Sequence, residues 1–200
     1  MNVYEAAVKR RAIRRFQNKP VPYDVLEKSV DASRLAPCGR NQQLGEYIIV
    51  NDEQMLPRIF DSITGWAGQP AAKSAPPPEK RPKAYVIILI NKSLEAQLRA
   101  NRRDIALYDV GMSAENLILV ALEQGVGSCP ILSFDQKKLK QALNIPDNYD
   151  PAMVVAMGYP DESPVTEVAT DSVEYWVDSQ GVRHVPKRKL ADIRHHNKFS

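Results

Sequence analysis

Continuous apolar segments predict the core strands of this chain. The run from Ala84 to Ile90 is apolar throughout and rich in β-branched side chains, which is typical of a strand buried on both faces. The segment from Ala152 to Met157 has the same character, and Gly158 and Pro160 close it. Tyr47 to Val50 is a shorter apolar strand. These segments predict a small central sheet.

Helical spacing of apolar residues predicts the remaining elements. The predicted helices cover Val3 to Arg10, Tyr23 to Leu35 with Pro22 at its first position, Glu53 to Ile63, Asp104 to Gln124, a short helix to Leu143 with Asp135 as N-cap, and Leu190 to His195. The longest helix is apolar on every side from Leu117 to Leu122, and such a helix must be covered all round. A partner subunit could supply that cover.

The class predicted is α+β, with a central mixed sheet flanked by helices, in one domain over residues 1–200. Residues 65–82 carry three prolines in a row and almost no periodicity, which predicts a mobile loop or lid. The flanking pieces are too small for two cores, so a domain linker is the weaker alternative. Residues 165–200 are polar, and we expect this extension either to lack a fixed conformation or to pack around another subunit.

Composition excludes several classes of function. The net charge of +3 does not favour nucleic acid, and the two cysteines fit no zinc or redox spacing. The histidines lie in the tail without ligand spacing, so no metal site is expected. We find no signal peptide and no apolar run near the ~20 residues that span a bilayer, so a cytoplasmic location without membrane contact is expected.

A basic cluster over residues 9–19 is the first candidate for chemistry. If the first helix persists, Arg10, Arg11 and Arg14 stand on one side of it, and arginine forks match phosphate oxygens two at a time. The cluster is then a phosphate clamp. A solvated basic face explains the charge equally well and is favoured when charge alone is considered.

Three further segments are candidates, each with a plain alternative. Residues 36–43, Ala-Pro-Cys-Gly-Arg-Asn-Gln-Gln, let the backbone approach a ligand, and Asn41 suits the edge of a heterocycle, although proline and glycine also simply end a helix. Residues 125–131 fit no dinucleotide or phosphate-loop fingerprint and read as a turn. The Lys-Arg-Lys run at 187–189 is a second anion site or a solvated run.

The order of these weak signals resembles the nitroreductase family. The resemblance is carried by the segments at residues 10–16, 20–22, 36–43, 109–111, 116–119, 125–128, 158–160 and 188–190. It spans nearly the whole chain and leaves out mainly residues 65–82. The resemblance rests on the ordered set of motifs rather than on one of them.

The resemblance implies a homodimer with FMN at the subunit interface, built by the long helix and the C-terminal extension. It places Arg10, Arg11 and Arg14 at the FMN phosphate and the pyrimidine edge, with a further phosphate contact from Arg188. Residues expected to reach the flavin from the other subunit are Pro37, Cys38, Gly39 and Asn41. Pro130 and Ile131 would lie along the ring, with a backbone N–H near N5.

The implied activity is hydride transfer from NADH or NADPH through flavin N5 to an electron-poor acceptor, such as a nitroaromatic or a quinone, in a ping-pong cycle. The protein would supply binding, orientation and electrostatics rather than a catalytic side chain. Three departures bear on the phosphate contacts and the substrate pocket. Ala12 and Cys38 stand where the family has serine, and Leu44-Gly45 stands where it often has Pro-Trp.

Three alternatives stay open. One is narrower flavin chemistry such as reductive dehalogenation, which a dedicated acceptor pocket in residues 65–82 would favour. The second is a non-catalytic flavin-binding protein, whose flavin would stay oxidised in the presence of NADH and NADPH. The third, a nucleic-acid binder using residues 9–19, lacks interleaved aromatics apart from Phe16 and ranks far lower.

Overall fold

The computed structural model describes residues 1–96 and 103–199, although not the side chains of residues 103 and 104. The chain divides into two units, Met1–Asp161 and Glu162–Ser200. The helices of the first unit are α1 Val3–Lys9, α2 Tyr23–Arg34, α3 Leu56–Phe60, α4 Ala71–Ser74, α5 Lys92–Glu95, α6 Arg103–Glu123 and α7 Gln136–Leu143. Its strands are β1 Gly45–Val50, β2 Gly65–Trp66, β3 Gln69–Pro70, β4 Ala84–Asn91, β5 Gly127–Ile131 and β6 Tyr149–Gly158.

The main sheet of the first unit has the strand order β1-β4-β6-β5, and its neighbouring strands pair antiparallel. The apolar runs predicted as core strands are thus confirmed as the two central strands, β4 and β6. The parallel component of the predicted mixed sheet is a single bridge at the β5 edge, between Ala12 and Ser128. Helices flank this sheet, in agreement with the predicted α+β class.

Each face of β4 faces its own hydrophobic core, which explains why the strand is apolar at every position. Tyr85, Ile87 and Leu89 belong to one cluster, which also contains Phe60 and Trp66. The alternate residues Val86, Ile88 and Ile90 belong to the second cluster, which packs against α2 and α6. Burial on both faces fixes the register of the strand, because a slip by one residue would exchange the two sets.

Helix α6 confirms the predicted long helix, and its buried side packs against α2. Leu117, Ile118 and Ala121 are buried within the first unit. The segment Ile105–Glu123 has a mean hydropathy of 1.5 and is long and apolar enough to cross a membrane, so the expectation that no such run exists was wrong. Within the chain 39% of that window is buried, and the buried residues belong to the second hydrophobic cluster.

Three of the predicted helices differ from the structure. The helix expected from Glu53 is only α3, because the Asp52 side chain accepts hydrogen bonds from the backbone of Gln54 and Met55 and holds a turn there. Pro22 is the N-cap of α2 rather than its first residue. The expected C-terminal helix is a 3₁₀ turn, Leu190–Asp192.

Residues 65–82, expected to form a loop, contain regular structure. Strands β2 and β3 form a hairpin, α4 follows it, and a 3₁₀ turn covers Pro78–Lys80. The hairpin was not predicted because its two-residue turn is Ala67-Gly68 rather than the common Asn-Gly. Both residues have positive φ, 51° and 76°, as a type I′ turn requires. The mobility of the segment stays a prediction.

The second unit contains a three-stranded sheet with the order β7-β9-β8, formed by Val165–Val168, Arg183–Lys187 and Trp176–Val177. His184 of β9 lies between two carboxylates, with Nδ1 3.0 Å from Glu167 Oε2 and Nε2 3.3 Å from Asp178 Oδ2. Its ring also stacks on Trp176, with 4.0 Å between the ring centroids. This cluster ties the three strands together.

Candidate functional site

The N-terminal arginines do not share a helical face, so the sequence-based placement of Arg10, Arg11 and Arg14 on one side of a helix was wrong. Helix α1 begins with a capping box formed by Asn2 and Glu5 and ends at Lys9. Arg10 is already extended, with ψ at 131°. The helix ends there because the residues that follow pair with the edge of the main sheet instead.

Residues 12–16 form an extended segment that is anchored by tertiary contacts. The Ile13 N–H donates to the Ser128 carbonyl at 2.9 Å, and Ile13 and Phe16 are buried. Two glycines admit these side chains, since a Cβ at Gly127 would lie 2.6 Å from Ile13 Cγ1 and a Cβ at Gly158 would lie 2.7 Å from Phe16 Cδ1. The position of the arginines therefore depends on core packing and not on helix propensity.

Arg10 and Arg11 make local contacts at the end of α1. Arg10 Nε lies 3.1 Å from Glu115 Oε1 of α6. Arg11 Nη1 donates to the Val8 carbonyl at 2.7 Å and to the Arg10 carbonyl at 2.5 Å, which places a cation at the C-terminus of the helix. Burial, and the neighbouring charge of Arg10, lower the pKa of the Arg11 guanidinium. Arg11 thus caps the C-terminus of α1, a role that the basic composition of residues 9–19 did not indicate.

Arg14 lines a pocket of about 500 Å³ together with two other predicted site residues, Pro130 and Ile131. We call this the Arg14 pocket. Its other walls come from the β2–β3 hairpin and from the chain after β5: Thr64, Gly65, Trp66, Ala67, Gly68, Gln69, Pro70, Cys129, Leu132 and Ser133. The pocket combines one cation with backbone and apolar surface, and three separate stretches of sequence meet in it.

The hairpin residues of the Arg14 pocket were missed by sequence reasoning. Gln69 and Trp66 lie in a segment that showed no periodicity. The Thr64 N–H donates to the Ser133 carbonyl at 2.9 Å, which joins the hairpin to the segment after β5. Trp66 is buried, and its ring centroid lies 5.5 Å from that of Phe60. Gly68 alone is compatible with a hairpin turn at this wall, but Ala67 is not a usual residue for such a turn, so the sequence carried no clear signal.

The loop over residues 36–43 is held against α6 in a strained conformation. The Gly39 N–H donates to the Asp109 carboxylate at 3.1 and 3.2 Å, and a Cβ at Gly39 would lie 2.6 Å from Ile105 Cγ2. Arg40, Asn41 and Gln43 have φ values of 54°, 56° and 52°. Non-glycine residues with positive φ are costly, and they concentrate at functional sites.

Pro37 and Cys38 line a second pocket, of about 380 Å³, between α2, α6 and β1, which we call the Cys38 pocket. Its floor carries a hydroxyl network, in which Ser113 Oγ lies 2.7 Å from Ser33 Oγ and 2.8 Å from Tyr47 Oη. The Cys38 Sγ accepts a hydrogen bond from the Gln43 N–H at 3.3 Å. These hydroxyl groups come from three elements, and no sequence motif joins them.

The predicted site residues therefore fall into separate groups within one chain. Arg14 shares its pocket with Pro130 and Ile131, whereas Pro37 and Cys38 line the other pocket, and among the described residues the two pockets have no lining residue in common. Gly39 and Asn41 lie in the same loop as Cys38. Arg188 lies in the second unit, where its Nη2 donates to the Asp192 carbonyl at 3.0 Å. The roles of all these residues stay predictions.

Comparison with known families decides the affiliation. The model of the nitroreductase family matches residues 7–159. The chain belongs to the nitroreductase family. The match covers the arginine segment, both pockets and the main sheet, and it confirms the resemblance in the motifs.

Two curated relatives show the range of names within the nitroreductase family. The chain is 27% identical over 192 residues to a protein of Thermus thermophilus named NADH dehydrogenase, covering 86% of this chain and 94% of the relative. It is 24% identical over 182 residues to a protein of Thermotoga neapolitana named iodotyrosine deiodinase, covering 80% of this chain and 89% of the relative.

The fold is also similar to that of a solved structure described as an FMN-dependent nitroreductase from Clostridium difficile. The TM-score is 0.69 at 22% sequence identity, and the similarity covers 98% of this chain and 100% of that chain. The nitroreductase fold is therefore confirmed for this chain over nearly its whole length.

Proposed function

We propose that this nitroreductase-family protein is an NAD(P)H-dependent oxidoreductase that binds FMN and reduces an electron-poor acceptor such as a nitroaromatic or a quinone. Family membership supports the reaction class. The Thermus relative, named NADH dehydrogenase, supports a reduced nicotinamide as the hydride donor. The Clostridium neighbour, named as FMN-dependent, supports FMN as the cofactor. The observation that carries the proposal is the meeting of Arg14, Pro130 and Ile131 in one pocket.

The Arg14 pocket fits the chemistry of a flavin nucleotide. A flavin ring needs a flat wall along its face and polar partners at its edge, and small-molecule pockets of this size combine surfaces of both kinds. Pro130 is exposed in the otherwise buried strand β5, so its ring faces outward, and the Ala67-Gly68 turn brings backbone close to the same space. The volume of about 500 Å³ lies within the usual range for cofactor sites.

Arg14 supplies the positive charge in this proposal. Its guanidinium would balance the negative charge that develops at the pyrimidine edge of the ring or on the phosphate, and it would donate charge-assisted hydrogen bonds there. When bound, FMN would supply the hydride-transfer chemistry between the reduced nicotinamide and the acceptor, in ping-pong order. The chain contributes orientation and charge, and no side chain is assigned a covalent step.

A homodimer accounts for the separation of the two pockets. The loop with Cys38, Gly39 and Asn41 would complete the Arg14 pocket of a second copy, so that each site draws on both chains. An apolar surface is available for this contact, because Tyr108 and Met112 of α6 and Tyr4 of α1 are exposed, Tyr108 by 71%. Exposed apolar patches of this kind mark association surfaces. We assign residues 165–200 to the same interface and the protein to the cytoplasm.

The absorbance spectrum of the purified protein tests the proposed function directly. We expect a yellow protein whose flavin bands bleach when NADH or NADPH is added without oxygen, and recover when a quinone or nitroaromatic follows. Flavin bands that do not bleach would indicate a non-catalytic flavin-binding protein. A colourless protein that does not take up added FMN would refute the proposal.

Reductive dehalogenation is the second candidate. The Thermotoga relative is named iodotyrosine deiodinase, and residues 64–70 line the Arg14 pocket as a dedicated acceptor wall would. In that reaction a carbon–halogen bond is replaced by a carbon–hydrogen bond: the reduced nicotinamide supplies two electrons, solvent supplies the proton, and halide leaves with the bonding electron pair. Halide release from an iodinated phenol, faster than reduction of a quinone under the same conditions, would favour this candidate.

A further inference from the structure

A third pocket, of about 450 Å³, lies between α3, the turn at Pro78–Lys80 and strand β4, and we call it the Tyr85 pocket. It shares no lining residue with the Arg14 pocket or the Cys38 pocket. Its walls are formed by Asn18, Pro20, Asn51, Glu53, Leu56, Pro57, Phe60, Pro78, Arg81, Pro82, Lys83 and Tyr85. The proposed function uses none of these residues.

The hydroxyl of Tyr85 is the observation that indicates a ligand. Tyr85 is fully buried, and its Oη has no hydrogen-bond partner among the residues that the structure describes. Burial raises the pKa of this phenol far above its ordinary value, so the group keeps its proton and can donate. A buried hydroxyl without a partner costs free energy, and such groups call for an acceptor.

The charges around the pocket favour an anion. Arg81 lies over the Phe60 ring, 4.3 Å from its centroid, and its Nε donates to the Pro76 carbonyl at 3.4 Å. Lys83 Nζ donates to the neutral Asn18 Oδ1 at 2.7 Å. In the part of the chain that the structure describes, neither cation is paired with a carboxylate, and Glu53 is the only acidic residue of the lining. The lining therefore carries one net positive charge. A carboxylate outside the lining, Asp61, also acts on Tyr85, and Arg81 opposes its effect there.

The apolar residues of the lining favour a ligand that carries an apolar group as well as an anionic group. Prolines contribute rigid apolar surface at four positions and no N–H donor, and Leu56 and Phe60 extend the same surface. The lining joins this apolar wall of six residues to six polar residues, and small-molecule sites combine surfaces of both kinds. Inorganic phosphate would leave most of this surface uncovered, whereas an aromatic ring would cover it.

We propose that the Tyr85 pocket binds a small aromatic carboxylate, whose carboxylate accepts hydrogen bonds from Tyr85 Oη and Arg81 while its ring lies against the proline wall. The site is independent of the flavin assignment, because the two pockets are built from different residues. Phe60 lines the Tyr85 pocket, and its ring centroid lies 5.5 Å from that of Trp66, which lines the Arg14 pocket.

Calorimetric titration of the purified full-length chain with benzoate tests this site. We expect saturable binding that weakens about tenfold or more in Tyr85→Phe and in Arg81→Gln, because each variant removes a hydrogen bond to a charged group. Benzamide, which has the ring without the charge, should bind more weakly than benzoate by a similar factor. Tyr85→Phe removes only a hydroxyl without a protein partner, so the variant is expected to fold.

Two control variants separate this site from others. Arg58→Gln removes an exposed arginine of α3 that does not line the pocket, and Arg14→Ala removes the cation of the Arg14 pocket. Both should bind benzoate with wild-type affinity. The proposal is overturned if wild-type protein shows no saturable binding, if Tyr85→Phe and Arg81→Gln bind as tightly as wild type, or if Arg14→Ala alone abolishes binding.

Discussion

Glu115 of α6 lies 3.1 Å from Arg10, measured from Oε1 to Nε, so that an acidic side chain holds one of the arginines assigned to the FMN phosphate. The pair is partly exposed, and such pairs contribute only about 0.2–1 kcal/mol. Its charge nevertheless opposes an incoming phosphate, since both are anionic and would share one cation.

We therefore expect Glu115→Gln to tighten FMN binding by a few-fold, corresponding to about 0.2–1 kcal/mol. The substitution removes the competing charge and keeps the size of the side chain. Fluorescence titration of the apoprotein with FMN measures the effect, which should shrink at high salt. Weaker binding in this variant would show instead that Glu115 orients Arg10 for the ligand.

Replacement of Arg14 tests the cation of the Arg14 pocket. We expect Arg14→Ala to weaken FMN retention by about 1.5–3 kcal/mol, because a charge-assisted contact is lost. Arg15→Ala is the matched control, since Arg15 is the next residue, carries the same charge, is exposed and does not line the pocket. Equal flavin loss in both variants would mean that only overall charge matters.

A methyl group at Gly158 should destabilise the first unit. Gly158→Ala places a Cβ 2.7 Å from the Phe16 ring, and overpacking of this kind costs about 1–3 kcal/mol. Urea denaturation should show a lower midpoint with an unchanged slope. Gly45→Ala is a milder comparison, because its Cβ would meet the Tyr47 hydroxyl at 3.3 Å. A midpoint for Gly158→Ala equal to that of the wild type would mean that the segment at Phe16 moves freely.

The apolar face of α6 provides a test of the dimer. We expect Tyr108→Asp to shift the protein towards monomers in analytical ultracentrifugation and to lower its flavin content, because a charge would replace an exposed ring in the interface. Tyr23→Asp, at an exposed position of α2, should change neither property. A dimer that is unaffected by Tyr108→Asp would place the interface on another face.

The C-terminal cluster predicts a dependence on pH. Hydrogen bonding to Glu167 raises the pKa of His184, and hydrogen bonds to Trp176 and then to His184 lower that of Glu167. The contribution of His184 is present below its ordinary pKa of 6.5 and is lost as pH rises through the raised value. The contribution of Glu167 is lost as pH falls through its lowered value. The cluster is therefore most stable at mildly acidic pH.

Nuclear magnetic resonance can follow the ring protons of His184 to check this dependence. The midpoint of the titration should lie above 6.5 and should fall in Glu167→Gln. Glu174→Gln, at an exposed position of the same unit, is the control and should leave the midpoint unchanged. An ordinary midpoint in the wild type would show that the cluster does not persist in solution.

Strand β4 and helix α6 could be predicted from sequence because the pattern of apolar residues within each segment is itself sufficient to indicate a buried strand or helix. The placement of Arg14 could not, because the end of α1 is set by the bond from Ile13 to Ser128, over a hundred residues away. The hydrogen bond from the Gly39 N–H to the Asp109 carboxylate likewise joins residues 70 positions apart. Local pattern predicts elements, whereas the candidate site depends on contacts between them.

The burial of Ile13 and Phe16 against Gly127 and Gly158 has a consequence for how a ligand meets this protein. The segment that carries Arg14 is held by the buried side chains of Ile13 and Phe16, which precede and follow Arg14 in the sequence, so its order does not depend on a bound molecule. Preorganisation of this kind lowers the entropy lost on association. Substitution of either glycine should therefore reduce ligand affinity without removing a single ligand contact.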